Sequence, residues 1–178
     1  MLLHNEILSH LIVTLIYFVL VSVLRWQLNW DLLGLWLGAF LGTFFLDIDH
    51  LIYWFITNPE KSDSIEAKKG KIKDWLRILK ENHTSHTRLV FHSAVGQAVL
   101  LVLAFYLLTS GGSIFGSAFI VSINLHLLKD EWFDFQKDKV HLADWLFWQI
   151  RGFSAEKHLA IYLIITNVLF LILTGLLI

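Results

Sequence analysis

Residues 7–24 read ILSHLIVTLIYFVLVSVL, a run with no charged side chain. A helix crosses the hydrocarbon core of a bilayer with roughly 20 apolar residues, within a range of about 17–25. The run meets that length. No basic segment precedes it and no small-residue cleavage site follows it, so it reads as a retained span rather than a signal peptide. Four further apolar segments follow, at about 32–55, 89–108, 113–128 and 158–178, of which 113–128 is short for a crossing.

Composition agrees with this reading. Hydrophobic residues make up 56% and charged residues 16%, against roughly 45–50% and 25% in soluble domains. Mean hydropathy is +0.63. The expected fold is all-α: a single polytopic membrane domain over residues 1–178, with four to five transmembrane helices plus interfacial amphipathic helices. Net charge is -1, which argues against direct nucleic acid binding. The absence of cysteine excludes disulfides, thiolate metal sites and cysteine nucleophiles.

The polar stretches between the spans have their own pattern. In KIKDWLRILKEN (71–82), Ile72, Trp75, Leu76 and Leu79 share a helical face opposite Lys and Arg, which suits a helix lying on a membrane surface. HLADWLFWQIRGF (141–153) is similar, with Trp145, Trp148 and Phe153 expected as interface anchors. Of the 14 Lys and Arg residues, 8 fall in 61–88 and 5 in 129–157, leaving only Arg25 elsewhere. With five spans, both basic stretches lie on the side of the N-terminus, and the positive-inside rule makes that side cytoplasmic.

Ionisable groups interrupt the apolar runs at three places. FFLDIDHLIYW (44–54) carries Asp47, Asp49 and His50. HTSHTRLVFHS (83–93) carries His83, His86, Arg88 and His92. HLLKDEWFD (126–134) carries His126, Asp130 and Asp134. Burying such groups is costly unless something pairs them. All three sets emerge at the same membrane face. Asp47 and His50 are spaced i, i+3, and His126, Asp130 and Asp134 i, i+4, i+8, so each set shares a helix face. Carboxylates and imidazoles pointing inward from facing helices are how bundles build metal sites. A divalent cation would balance the carboxylates and use the imidazole lone pairs. Mixed Asp/His ligation suits Zn, Mn or Fe better than Ca. One or two ions fit the candidate ligands Asp47, Asp49, His50, His86, His92, His126 and Asp130, with His83 an alternative to His86. Asp49 is a candidate bridge or general base, and Arg88 a candidate for holding an anionic substrate group.

In their order, LDIDH, HTRLVFHS and NLHLLKDEW resemble the motifs of the LexA-binding, inner-membrane-associated metal-dependent hydrolases of bacteria. That family carries Pro-Asp-x-Asp-His, then His-Arg-Gly-x-Thr-His-Ser, then His-Leu-Leu-x-Asp. It often has a histidine early in the first span, which His10 matches. Here Leu46 stands in place of the proline, the interval from His86 to His92 is one residue longer, the glycine is absent, and Phe91 replaces the threonine. The resemblance implies a multi-pass inner-membrane hydrolase that uses a divalent metal. A site at headgroup depth implies membrane lipids as neighbours and a lipid or lipid-linked ester as substrate. Two other readings stay open. One is a divalent-cation or proton transporter, which requires polar residues continuing through the membrane. The other is a non-catalytic anchor whose basic face recruits a cytoplasmic protein partner, as the LexA-binding label suggests.

Overall fold

The computed structural model describes residues 6–27, 29–71, 74–75, 77–78, 86–150 and 155–178. Every regular element among them is helical. In chain order these are α1 (Glu6–Arg25), α2 (Asp31–Phe45), α3 (Ile48–Ile52) running into a π-helical turn (Tyr53–Thr57), α4 (Ser62–Lys69), α5 (Ala94–Thr109), α6 (Ile114–Lys137), α7 (Lys139–Phe147) and α8 (Ala155–Leu177). The 71–82 segment lies largely outside the described residues, as do His83 and Phe153.

Three helical stretches are long and apolar enough to cross a membrane: Ile7–Arg25, Asp31–Thr57 and His158–Leu177. That is fewer than the four to five expected from the sequence. Two of the apolar segments fall short for different reasons. The helix Ala94–Thr109 is apolar but short, because residues 86–93 form no helix where the third segment was expected to begin. α6 is long enough at 24 residues, but its second half carries His126, Lys129, Asp130, Glu131 and Asp134. Outward-facing apolar side chains, such as Leu20, Phe40, Val102 and Leu171, are more than half exposed. A water-facing surface would not tolerate so much contiguous apolar area, whereas lipid does.

Local sequence explains the helix limits. Ser93 accepts a hydrogen bond from the Gly96 N–H and Ser113 one from the Gly116 N–H, both at 3.1 Å, capping α5 and α6. Asp138 accepts from Val140 and His141 N–H at 3.0 Å, capping α7. Gly111 takes φ +69° in the turn before α6, a conformation glycine adopts without strain. Trp145 is buried in the core with Leu142, Leu146 and Leu159 rather than sitting at an interface, and its indole donates to Asp134 at 2.8 Å.

The central contact is between α2 and α6. Gly34, Gly38 and Gly42 form a small-residue stripe along α2, the pattern that lets helix backbones touch in a membrane. A Cβ on Gly38 would lie 2.2 Å from the Phe115 carbonyl oxygen, and one on Gly42 2.3 Å from that of Phe119. Hydroxyls seal the same seam: Ser122 and Thr43 both donate to the Ala39 carbonyl, at 2.7 and 2.8 Å, and the Thr14 hydroxyl of α1 lies 2.9 Å from that of Thr43. Gly38→Ala and Gly42→Ala should each destabilise the protein by about 1–3 kcal/mol through overpacking. Gly175 has nothing within 4 Å of its would-be Cβ, so Gly175→Ala should be neutral or stabilising by roughly 0.5–1 kcal/mol. Thermal unfolding in detergent would compare the three.

Candidate metal centre

α2 ends at Phe45, and the chain turns through Leu46 and Asp47 before α3 begins. A helix end leaves its last carbonyls without intrahelical donors. The Thr43 carbonyl is one of these, and the His126 Nδ1 lies 2.7 Å from it. A carbonyl oxygen only accepts, so Nδ1 carries the proton and, in the neutral ring, Nε2 carries the lone pair. That lone pair faces Asp130 Oδ2 at 3.2 Å. The contact lacks hydrogen-bonding alignment, and neither atom has a hydrogen-bond partner among the described residues. Two buried lone-pair atoms held face to face repel unless a cation stands between them. A proton on His126 meets that demand, and so does a metal ion. Ligand atoms about 2.0–2.2 Å from a tetrahedral ion stand roughly 3.3 Å apart, close to the separation seen.

His10 completes the group. Its ring stacks on that of His126 with centroids 3.7 Å apart, and its Nε2 lies 2.8 Å from Asp130 Oδ1. Ligand atoms of His10, His126 and Asp130 all lie within 4.8 Å of one another, and all three residues are buried. A set of two imidazoles and one carboxylate is suited to a zinc-type ion. The residues present therefore fit a metal. Lys129 Nζ also reaches Asp130 Oδ1, at 3.1 Å, leaving Oδ2 as the oxygen turned toward His126.

The other sequence-selected residues extend from this group in a line. His92 is buried, with its ring 6.0 Å from that of His126 and 5.6 Å from that of His50. His92 Nδ1 lies 3.2 Å from Asp49 Oδ2, and its Nε2 has no hydrogen-bond partner among the described residues. A carboxylate on one ring nitrogen orients the other toward a ligand, the arrangement seen around metal-bound histidines. Asp49 accepts three backbone N–H groups as well, from Val90 at 3.1 Å, Phe91 at 2.6 Å and His92 at 3.1 Å. Its oxygens thus hold the 90–92 turn and orient His92. Asp47 is half-buried and makes no capping hydrogen bond to α3, and its charge acts on His126.

His50 and His86 meet through their Nδ1 atoms at 2.7 Å. On the far side, His86 Nε2 lies 2.6 Å from Asp63 Oδ2. Burial pushes the Asp63 carboxyl up, but the hydrogen bond and charge of His86, with backbone N–H groups of Ser64 and Asp63, hold it below the usual carboxylate value. Tyr53 stacks on His86 with ring centroids 4.0 Å apart. Arg88 is exposed at the edge of this line. Asp134 stands apart from it, bound to Trp145.

The structure thus brings together His10, His50, His86, His92, His126, Asp49 and Asp130 from α1, α3, α6 and the 86–93 segment. Sequence reasoning missed Asp63, which sits among lysines in KSDSIEAKK and looks like any solvated acid. It also missed Glu131, fully buried beside Asp130. Neither carboxylate oxygen of Glu131 has a hydrogen-bond partner by geometry among the described residues, although the Gln97 side chain is close enough to act on it. Comparison finds no family model, no curated protein and no solved structure that matches the chain.

Asp49→Asn keeps the shape but replaces one acceptor oxygen with a donor facing backbone N–H groups. It should cost about 2–4 kcal/mol of stability, since hydrogen bonds to a buried charge are worth roughly 1.5–3 kcal/mol each. Asp134→Asn, which can still accept from Trp145, should cost less than about 1 kcal/mol. Denaturant or thermal unfolding of both variants checks the contrast.

Proposed function

We propose that this chain is a metal-dependent hydrolase working at a membrane surface, with its ion held by His126, Asp130 and His10 and a lipid or lipid-linked (phospho)ester as substrate. One observation carries the reading: the buried His126 Nε2 and Asp130 Oδ2 face each other at 3.2 Å with His10 alongside. A bound zinc, manganese or iron ion would supply Lewis acidity toward a carbonyl or phosphoryl oxygen and make a water more acidic. The chain's own residues do the rest. Asp49 holds His92 with its Nε2 turned away from the carboxylate. Asp63, His86 and His50 form a hydrogen-bonded chain through which a proton can pass away from the reacting centre. The three motif elements that resemble the inner-membrane hydrolases support the same activity.

In this reading α5 and α6 join the three long apolar helices as further crossings of the inner membrane. The shortness of α5 and the polarity of the second half of α6 are then the cost of placing the site at one end of the bundle. The concentration of 13 of the 14 basic residues in the stretches next to the site puts that end at the cytoplasmic leaflet.

A line of buried polar groups favours a second reading. Asn124, Ser122 and Ser117 on α6, with Thr43 and Thr14, continue from His126 toward the other end of the bundle. There Ser117 borders a cleft that also contains Arg25 and Asp31. A transported cation or proton would need such a line. The hydroxyls of Thr43, Thr14 and Ser122 are bonded to one another at 2.9–3.1 Å, too close to pass a metal cation, and no titratable group stands among them to relay a proton, which leaves hydrolysis the stronger reading.

Purified protein should contain about one zinc-type ion per chain at this group. His126→Ala, Asp130→Ala and His10→Ala should each lower metal affinity at least tenfold, while Asp134→Asn retains it; elemental analysis decides. Unchanged metal content in all three alanine variants would leave the His126–Asp130 pair as an imidazolium–carboxylate bridge and remove the basis for catalysis. Hydrolysis of phospholipid esters should vanish on chelation and return with zinc, whereas cation flux in proteoliposomes without hydrolysis would favour transport.

A further inference from the structure

A second feature borders the line of histidines. Tyr53, Asn58, Lys61, Thr87 and Arg88 surround a cleft of about 320 Å³. None of these is acidic. Lys61 comes from the segment after the π-helical turn, and Arg88 from the segment before α5. Both are exposed, and neither has a carboxylate partner among the described residues. Lys61 Nζ sits 5.2 Å from the Tyr53 ring centroid. His86 is stacked on that ring at 4.0 Å, so the ring meets both groups. Tyr53 thus both lines the cleft and touches the buried imidazole of His86. The side chains of Asn58 and Thr87 make no hydrogen bond to a described residue, and neither does the Tyr53 hydroxyl.

We infer that this cleft binds a phosphate group and anchors the substrate of the hydrolase proposed above, the reading on which its catalytic meaning rests. Two like charges converging on one concavity repel, and an anion between them relieves the repulsion. The donor set selects the anion. A carboxylate offers two oxygens, whereas two cations with two neutral side chains match the larger number of acceptors on a tetrahedral phosphate. Arg88 supplies a planar fork and Lys61 a point charge, the two common ways of holding phosphate. The phosphate belongs either to an anionic lipid headgroup or to a soluble phosphorylated compound.

The test uses full-length, chelator-treated protein, so that binding is read apart from catalysis. Inorganic phosphate is titrated and followed by phosphorus NMR line broadening. Retention of phosphatidic acid against phosphatidylcholine is followed by native mass spectrometry. Wild type should bind phosphate in preference to acetate, and Lys61→Gln and Arg88→Gln should each weaken binding about tenfold while taking up zinc normally on reconstitution. Preferential retention of phosphatidic acid, lost in the double variant, assigns the lipid source. Phosphate binding without that preference assigns a soluble phosphorylated ligand. No phosphate binding by wild type, or binding unchanged in the double variant, overturns the inference. A protein that binds phosphate through these residues but hydrolyses nothing when loaded with zinc keeps the cleft and loses the hydrolase.

Discussion

The close approach of α2 and α6 is the constraint from which the rest of the site follows. With no side chain at Gly38 and Gly42, the two backbones meet, and side chains on α6 reach carbonyls on α2. Ser122 takes the Ala39 carbonyl and His126 that of Thr43, each at 2.7 Å. The second bond is possible because α2 stops two residues later and leaves that carbonyl without a helical donor. Packing thereby fixes a tautomer: the proton on Nδ1 is held by α2, and the basic nitrogen of His126 is turned to Asp130. A shift of α6 by one residue would rotate His126 about 100° around the helix axis and lose both contacts.

Burial gives this geometry its chemical weight. In water, an imidazole nitrogen and a carboxylate oxygen at 3.2 Å would simply be hydrated. Here both are buried, and solvation must come from the protein or from a bound cation. The same argument applies down the line of rings. Asp49 is fully occupied by three N–H groups and His92, so its charge is compensated where it stands. Asp63 meets His86 at the outer end. Asp130, Asp49 and Asp63 each meet at least one imidazole, which is how these charged groups sit together in a largely apolar bundle.

Much of this was legible in the sequence, for identifiable reasons. Long uncharged runs announce spans, and residues such as Asp47 and His50 stand out because their apolar neighbours make them costly. His126 and Asp130 share a face by simple helical spacing. What could not be read is long-range pairing. Asp63 has no local signal because the residues around it are charged, and its partner lies 23 positions away. The role of Asp49 depends on a turn at 90–92 that only the folded chain presents. Trp145 reads as an interface anchor by type, but its ring is buried and its indole N–H finds the half-buried carboxylate of Asp134. The span count also exceeded what length and hydropathy support, since α6 is made polar by the residues that build the site.

The contact between His10 and Asp130 joins residues 120 positions apart. A ribosome delivers the first of them to the membrane long before the second exists. During synthesis His10 cannot meet Asp130, nor Thr14 meet Thr43, until those later residues are made. The first helix therefore enters the bilayer with polar groups whose partners have yet to be translated. Its final seating is a late event, completed only when the sixth helix arrives to receive it.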